Sequence, residues 1–512
     1  MDKHFYITTP IYYPSAKPHM GHAYSSILAD FFARFKRIQG HKVFFLTGTD
    51  EHGQKIQKAA KENNMDPKDF CDKISKTFFD LSETLNLSND DFIRTTELRH
   101  KKSVEHLWNI LEKKNEIYLS KYSGWYSISD EAFYSNEEIE DKDNKKISKI
   151  SGSQVDWVEE ESYFFKLSKW QKPLLKYYED NPNFILPESR KNEVISFVKS
   201  GLNDLSISRK SFSWGIKVPS NENHVIYVWL DALTNYISAL NYPDTLNNHY
   251  KSFWPASIHL IGKDILRFHA VYWPAFLLAA NIEPPKRVYG HGWILSGEEK
   301  MSKSKGNILD PIEIIQNYGI DPLRYYLIKE VSFGNDGNIS QDKLENCINS
   351  DLANNYGNLC QRVISFIEKN LKLNVPKNYK FLSQDTKVLK IYEDEFSKLI
   401  DSIDNQNINY YFNFIQNQLF SANKYFNDQE PWNKKSDNNR LNTILYVSLE
   451  LIRKISIMMY PIMPNSTLKA LKIFNITENM IDINSIKNHE YLKINEKINK
   501  ISILFKKIEK ND

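Results

Sequence analysis

The sequence predicts an α/β protein built on a parallel sheet, followed by an all-α domain. Three observations predict it. A strand, helix, strand order occupies the first fifty or so residues, and the same order returns between residues 257 and 295. From about residue 340 glycine nearly disappears, and apolar residues recur at the 3.6-residue helical period.

The elements follow in order. "FYITTPIYY" (5–13) is β-branched and aromatic and reads as a buried strand ending at Pro10. "GHAYSSILADFFARFKRIQG" (21–40) sets Ile27, Leu28, Phe31, Phe32, Phe35 and Ile38 at helical spacing, with Gly40 as the stop. "KVFFLTGTDEHG" (42–53) is a second strand running into a glycine-marked turn. Residues ~115–210 hold aromatic strand-like pieces and the polar run "NEEIEDKDNKKISK", which predicts an insertion into the sheet domain. "SIHLIGKD" (257–264), "ILRFHAVYWPAFLLAA" (265–280) and "RVYGHGWIL" (287–295) repeat strand, helix and strand. "NYYFNFIQNQLFSANKYFNDQEPW" (409–432) carries the periodicity of the helical domain.

Composition excludes several classes. With 41% hydrophobic and 26% charged residues in 512, the chain is a globular protein large enough for two to four cores. Its 67 Lys+Arg against 64 Asp+Glu leave +3, so a nucleic-acid surface must be a local patch. Cys71, Cys347 and Cys360 are too few for a disulfide framework and point to a reducing compartment. No apolar run approaches ~20 residues, and the N-terminus shows neither a signal region nor a transit peptide.

Two short motifs carry the chemistry. "PHMGH" (18–22) places His19 and His22 where a helix begins. Free N–H groups and the positive end of the helix dipole attract phosphate there, and Gly21 lets a nucleotide approach. Imidazoles donate to phosphate oxygens without a large fixed charge. "KMSKSKGN" (300–307) concentrates three lysines on a loop about 280 residues later. Each motif alone is common; both in this order, on the two halves of an α/β pattern, are specific.

The pair resembles the signatures of the class I aminoacyl-tRNA synthetases. "TPIYYPSAKPHMGHAY", "FLTGTDEHGQKI", "GLNDLSISR", "YVWLDALTNYI", "IGKDILRFHAVYWPA" and "GHGWILSGEEKMSKSKGN" resemble the methionyl-tRNA synthetase family over nearly the whole chain. The resemblance implies a Rossmann-like parallel-sheet catalytic domain with an inserted connective-peptide domain, then an all-α anticodon-binding domain. It divides the chain into 1–115 and 209–295 (the catalytic halves), 116–208 (the insertion) and 296–345 (the lysine loop and stem-contact region). The helical domain is 346–490, and a closing helix over 491–512 packs back on the body.

It implies a function as well: L-methionine and ATP form methionyl-adenylate, and the methionyl group passes to tRNA(Met). The attacking carboxylate is already ionised, so catalysis rests on positioning and preorganised positive charge rather than on a general base. His19, His22, Lys300 and Lys303 would supply catalysis. ATP would also meet Gly21, Gly262, Asp264, His291 and Gly292, with Mg²⁺ on its phosphates and Gly297 and Gly306 bordering a movable loop. Asp50 would pair with the substrate ammonium and Ile11 would offer backbone groups. Tyr13, Trp229, Ala232, Leu233, Tyr236, Ile265 and His269 would line the side-chain pocket, the Tyr236 hydroxyl near the sulfur. Leu233 stands where some relatives have proline.

Many relatives hold zinc in cysteine knuckles within the insertion. Here Ser127 and Asp130 stand at such positions and no Cys-x-x-Cys occurs, which predicts a metal-free knuckle packed by Trp125, Tyr126, Phe133 and Tyr134. "NNYGNLCQR" and "DQEPWN" resemble the family's anticodon elements and bring Asn358, Arg362 and Trp432 into one site. The resemblance further implies a monomer, and the Lys-, Asn- and Ile-rich composition suggests a bacterial cytoplasm. Rival synthetases fit less well. The leucine, isoleucine and valine enzymes need a larger editing insertion, and the cysteine enzyme needs zinc ligands that are lacking. A pantothenate-synthetase-like nucleotidyl transferase would have no use for the helical domain.

Overall fold

The computed structural model describes residues 3–130, 132–142, 145–296, 299–300, 309–377, 379–434 and 436–509. The chain divides into two compact units: His4–Ala29 with Val43–His291, and Met1–Lys3 with Asp30–Lys42 and Gly292–Asp512.

The first unit is organised by a six-stranded sheet. Its order is Asp91–Arg94, Lys42–Thr49, His4–Thr8, Ile258–Gly262, Val288–His291 and Ile185–Leu186. Ile7 faces Ile258, Gly262 faces His291 and Leu46 faces Asp91, all in parallel register. Parallel strands are buried on both faces, which is why "YIT" and "HLI" are buried continuously rather than alternately, their polar members Thr8 and His259 hydrogen-bonding each other. The strand order reverses direction beside His4–Thr8, the switch point at which open α/β sheets bind ligands.

The helix Met20–Ile38 leaves that strand, and its apolar residues are buried all round. It ends as predicted: Gly40 takes φ +87°, its N–H reaches the Arg37 carbonyl, and the His41 N–H reaches that of Lys36. Those two bonds are the Schellman pair that left-handed glycine permits.

The insertion is a long antiparallel pair, Ile117–Ser127 against Asp156–Phe165, flanked by short strands and helices. It does not close on itself: Ile185–Leu186, inside the predicted insertion, adds the sixth strand to the main sheet. Two residues are too short for a periodicity signal, and only their partner Val288–Tyr289 makes them a strand.

The second unit is mainly helical. Its longest helices are Ile408–Asp428 and Asn438–Met459, and the latter is buried along nearly its whole length. Phe31 and Phe35 pack edge-on against Tyr411. A buried ion cluster lies nearby: Asp30 accepts from Arg34 at 2.7 Å and from Arg324 at 2.6 Å, and Arg324 also donates to the Ile462 and Pro461 carbonyls. The short strand Glu299–Lys300 pairs with Ile294–Ser296, which pairs with Gly337–Ile339.

The closing segment corrects the expectation of a C-terminal helix over 491–512. Its described part, through residue 509, holds no helix and lies extended. Its backbone borrows partners elsewhere: Val375 N–H donates to the Glu496 carbonyl, Ile498 N–H to Leu373, Asn499 N–H to Ile473, and Asn349 clasps Ile508 through both amide groups. Leu492, Ile498 and Phe505 are its buried anchors. Satisfied from outside, the strap has no need of helical hydrogen bonds.

Candidate functional site

The residues expected on the phosphate side, His19, Gly21 and His22, stand at the head of the Met20–Ile38 helix. His19 Nδ1 accepts the Gly21 N–H at 3.1 Å, and His22 Nδ1 accepts the His19 N–H at 3.0 Å. An imidazole nitrogen that accepts carries no proton, so both rings hold theirs on Nε2 when neutral. The rings stack with centroids 3.8 Å apart. Tyr12 and Phe78 pack edge-on against His22 and hold its orientation. Burial, then the neighbouring His19 and Lys55, keep the His22 pKa well below the ordinary histidine value. His22 is therefore a neutral donor at physiological pH. A Cβ on Gly21 would come within 3.0 Å of the His19 ring, so glycine there spares that ring arrangement.

Of the other residues expected to meet ATP, Gly262 and His291 end two adjacent strands. Gly262 faces His291, and a Cβ on Gly262 would lie 2.6 Å from Asp264 Oδ1. Asp264 is exposed, whereas His291 is buried with Nε2 2.7 Å from Ser25 Oγ. Gly292 begins the second unit, where its Cα passes so close to the 335–336 backbone that a Cβ would overlap the Asn335 carbonyl at 2.1 Å. Of the lysine motif, Lys300 is described in its backbone alone, and Lys303, Gly297 and Gly306 lie outside the described residues.

The proposed methionine residues converge within the first unit. Residues 11–13 run beside the end of the second strand: Tyr12 N–H donates to the Gly48 carbonyl and Asp50 N–H to that of Tyr12, both at 2.9 Å. This sets Ile11, Tyr13 and Asp50 side by side, with the Asp50 carboxylate buried. Trp229, Ala232, Leu233 and Tyr236 come from the turns Val228–Leu233 and Asn235–Ser238, and Ile265 and His269 from residues 263–272. Trp229 lies flat on Phe268, centroids 3.7 Å apart and planes 7° from parallel. Tyr236 Oη lies 2.7 Å from His269 Nε2, and His269 Nδ1 lies 3.0 Å from the Ile265 carbonyl. Burial pushes the His269 pKa down to about 4, so the ring is neutral.

Several partners escaped sequence reasoning. Phe268 gave no signal apart from aromatic character. Glu51, inside "GTDEHG", is fully buried and accepts from Arg94, Ser75 and Thr49, with Trp214 Nε1 donating to its carbonyl. Burial alone would raise its pKa, but hydrogen bonds from Arg94, Ser75 and Thr96 outweigh that and hold it below the usual carboxylate range. Asp231, between Trp229 and Ala232, is bound by His52 and His100.

In the insertion, Trp125 faces Tyr134 and Tyr126 faces Phe133 across the strand pair Ile117–Ser127 and Ala132–Tyr134. Asp130 collects hydroxyl donors from Tyr134 at 2.7 Å, Ser151 at 2.5 Å and Ser153 at 2.9 Å, while Ser127 Oγ accepts the Asp130 N–H. Ser148 Oγ likewise accepts the N–H groups of Ile150 and Ser151. The oxygens of this turn are occupied by one another. Among the described residues no group of three or more His, Cys, Asp or Glu is arranged to hold a metal.

In the helical domain, Asn358 and Arg362 lie one turn apart on the helix Asn358–Leu371. Arg362 donates to Asn427 at 2.7 Å and lies 5.3 Å from the Phe426 ring centroid. Trp432 packs edge-on against the same Phe426, yet is 42% exposed. Trp432, Arg362 and Asn427 therefore gather around Phe426, with Asn358 one helical turn from Arg362.

Comparison with known proteins gives the family and the fold. The family described as tRNA synthetases class I (M) matches residues 5–144 and 142–364, and the anticodon binding domain of methionyl tRNA ligase matches 375–512. The methionine–tRNA ligase of Rickettsia typhi is 50% identical, covering 99% of this chain and 100% of that protein. That of Brucella suis is 48% identical over 92% of each. The structure of Mycobacterium tuberculosis methionyl-tRNA synthetase in complex with methionyl-adenylate superposes with a TM-score of 0.96 at 43% identity, covering 98% of this chain and 99% of that one.

Proposed function

The chain belongs to the methionyl-tRNA synthetase family, and from that membership we propose how its own residues divide the work. It is a methionine–tRNA ligase: it activates L-methionine with ATP to methionyl-adenylate, releases pyrophosphate, and charges tRNA(Met), releasing AMP.

In the proposed division, Asp50 takes the substrate ammonium and the Ile11 backbone orients it. The side chain enters between Tyr13, Trp229, Ala232, Leu233, Tyr236, Ile265 and His269. Its carboxylate then attacks the α-phosphorus, and negative charge grows on the phosphoryl oxygens and on the departing pyrophosphate. His19 and His22 donate Nε2–H to those oxygens, Lys300 and Lys303 neutralise them, and Gly262, Asp264, His291 and Gly292 hold the nucleoside. Magnesium belongs on the triphosphate with water: the phosphate-side groups are imidazoles and lysines, poor ligands for a hard cation. Asn358, Arg362 and Trp432 take the anticodon, and the knuckle around Asp130 needs no zinc. A monomer in a bacterial cytoplasm is the proposed state and place; the relatives named above are bacterial, and no described helix is long and apolar enough to cross a membrane.

One observation supports this reading above the others. The two motif histidines accept backbone N–H at Nδ1, which commits both to present Nε2–H as donors. Lys303→Ala tests the electrostatic half. Loss of one preorganised charge costs ~3–4 kcal/mol, a few hundredfold in rate, so pyrophosphate exchange should nearly vanish while methionine still binds. Exchange measured with each amino acid, with and without tRNA, tests the substrate; a preference for any amino acid but methionine would defeat the reading.

A further inference from the structure

Asp231 is a wholly buried carboxylate with no assigned contact to substrate, yet it joins two stretches of the proposed methionine pocket. Its Oδ2 lies 2.7 Å from His52 Nδ1, and its Oδ1 2.7 Å from His100 Nε2. All three residues are buried. His52 stands two residues beyond Asp50, the proposed ammonium partner. Asp231 sits between Trp229 and Ala232 in the turn Val228–Leu233. His100 comes from the helix Leu98–Lys113, which supplies none of the proposed substrate contacts.

Withdrawing a carboxylate from water is costly, and apolar side chains of similar volume would serve packing at least as well. What a carboxylate with both oxygens committed adds is direction, because hydrogen bonds fix orientation where apolar contact tolerates sliding. The loop side is already rigid. Glu51 is tied to Arg94 and Ser75, and its N–H to Thr95 Oγ1 at 2.9 Å. The turn bearing Trp229 reaches that anchor through Asp231.

We propose that Asp231, held by His52 and His100, is a positioning residue for methionine. It fixes the turn carrying Trp229, Ala232 and Leu233 against the loop carrying Asp50, and so sets the separation between the subsite for the ammonium and the subsite for the side chain. The inference rests on the methionine pocket assigned above.

The test measures KM for methionine, KM for ATP and kcat in pyrophosphate exchange, with Tm on the same samples. His100→Ala removes one arm of the clamp without touching the pocket. A buried oxygen left unpaired corresponds to roughly a tenfold change, so KM for methionine should rise about tenfold while KM for ATP holds. His100→Gln, whose amide Nε2 can donate to Oδ1, should return KM close to wild type. Asp231→Asn opposes an amide N–H to one ring N–H and should match His100→Ala or exceed it, which keeps the inference testable if either variant folds poorly. A folded His100→Ala with lowered Tm and unchanged KM for methionine would make the cluster a plain strut and overturn the inference, as would an equal rise in both KM values. Trp229→Ala separates the two levels. If it raises KM for methionine and His100→Ala does not, only the clamp fails; if it does not raise it, the pocket assignment fails and takes the clamp with it.

Discussion

The hydroxyl of Tyr236 gives its proton to His269 Nε2 at 2.7 Å, because the Nδ1 proton of a neutral His269 is committed to the Ile265 carbonyl at 3.0 Å. A carbonyl only accepts, so the direction of both bonds is determined. The Tyr236 oxygen therefore faces the proposed pocket without a proton to offer. A thioether is a weak acceptor, so in the proposed pocket recognition of the sulfur would fall to dispersion contact with the aromatic walls.

Tyr236→Phe should leave His269 Nε2 buried and unpaired. The expected cost is about 1–3 kcal/mol of stability, read by urea denaturation. Removing both partners, as Tyr236→Phe with His269→Leu, should cost less than the two single changes together. Strict additivity would show that the hydrogen bond contributes nothing.

Acid stability should fall in two stages. Burial depresses His269 from 6.5 to about 4, so the unfolded chain binds a proton first as the pH drops. Stability is full above pH 6.5 and declines down to about 4, by ~3 kcal/mol at 1.36 kcal/mol per unit. Asp231 behaves as a held anion. Burial would raise its pKa, but His52 and His100 outweigh that and bring it from 3.8 to about 2. Its contribution of about 2 kcal/mol is present above pH 3.8 and lost as the pH falls towards 2. His22 and His259, also depressed by burial, act in the same window, so His269→Gln should shrink the first stage by its own share and leave the second, seen in urea midpoints across the range.

Residues near one another in sequence were the legible ones. "HMGH" was readable because a helix start, a glycine and two imidazoles must be contiguous to meet a phosphate. The strand, helix, strand order was readable because parallel strands need crossovers, and these leave long periodic segments. His52, His100 and Asp231 were illegible: they stand far apart in sequence, and any one alone reads as a core polar residue. Ile185–Leu186 was illegible because a two-residue strand exists only through its partner. The closing strap departs from the expected helix because its backbone finds its partners on distant residues such as Leu373, Val375, Ile473 and Asn349, which local sequence does not reveal. The proposed pocket residues rest on family resemblance; burial alone assigns Trp229 and Leu233 to the core, where the structure also has them, at 8% and 1% exposure.

The purified protein should carry no stoichiometric zinc. The turn that would present thiolates presents Ser127, Asp130, Ser148 and Ser151, hydrogen-bonded among themselves, whereas tetrahedral structural zinc takes thiolate or imidazole. Elemental analysis settles the point. About one zinc per chain, removed only with loss of structure, would refute it. Asp130→Ala should instead loosen the turn by stranding the hydroxyls of Tyr134, Ser151 and Ser153, visible as a lower Tm in metal-free buffer.

Trp432→Ala should separate the two reactions of the enzyme. Trp432 packs its edge on Phe426, which also carries Arg362, and keeps much of its surface in water. No step of adenylate formation uses these residues, so pyrophosphate exchange should be unchanged. Charging should suffer, because the stacking face for an anticodon base is gone. A stacked base is worth roughly 1–3 kcal/mol, so kcat/KM for tRNA should fall about five- to 150-fold. Some loss could come from disturbing the turn Pro431–Asn433, so circular dichroism and melting belong on the same sample. Because Phe426 is buried beneath the tryptophan edge, Trp432→Phe is the informative companion. It keeps an aromatic face and should recover part of the charging activity, whereas a purely structural tryptophan would show the same loss in Tm and no recovery tied to tRNA. A folded Trp432→Ala that charges tRNA(Met) as wild type does would place the anticodon elsewhere on the helical domain.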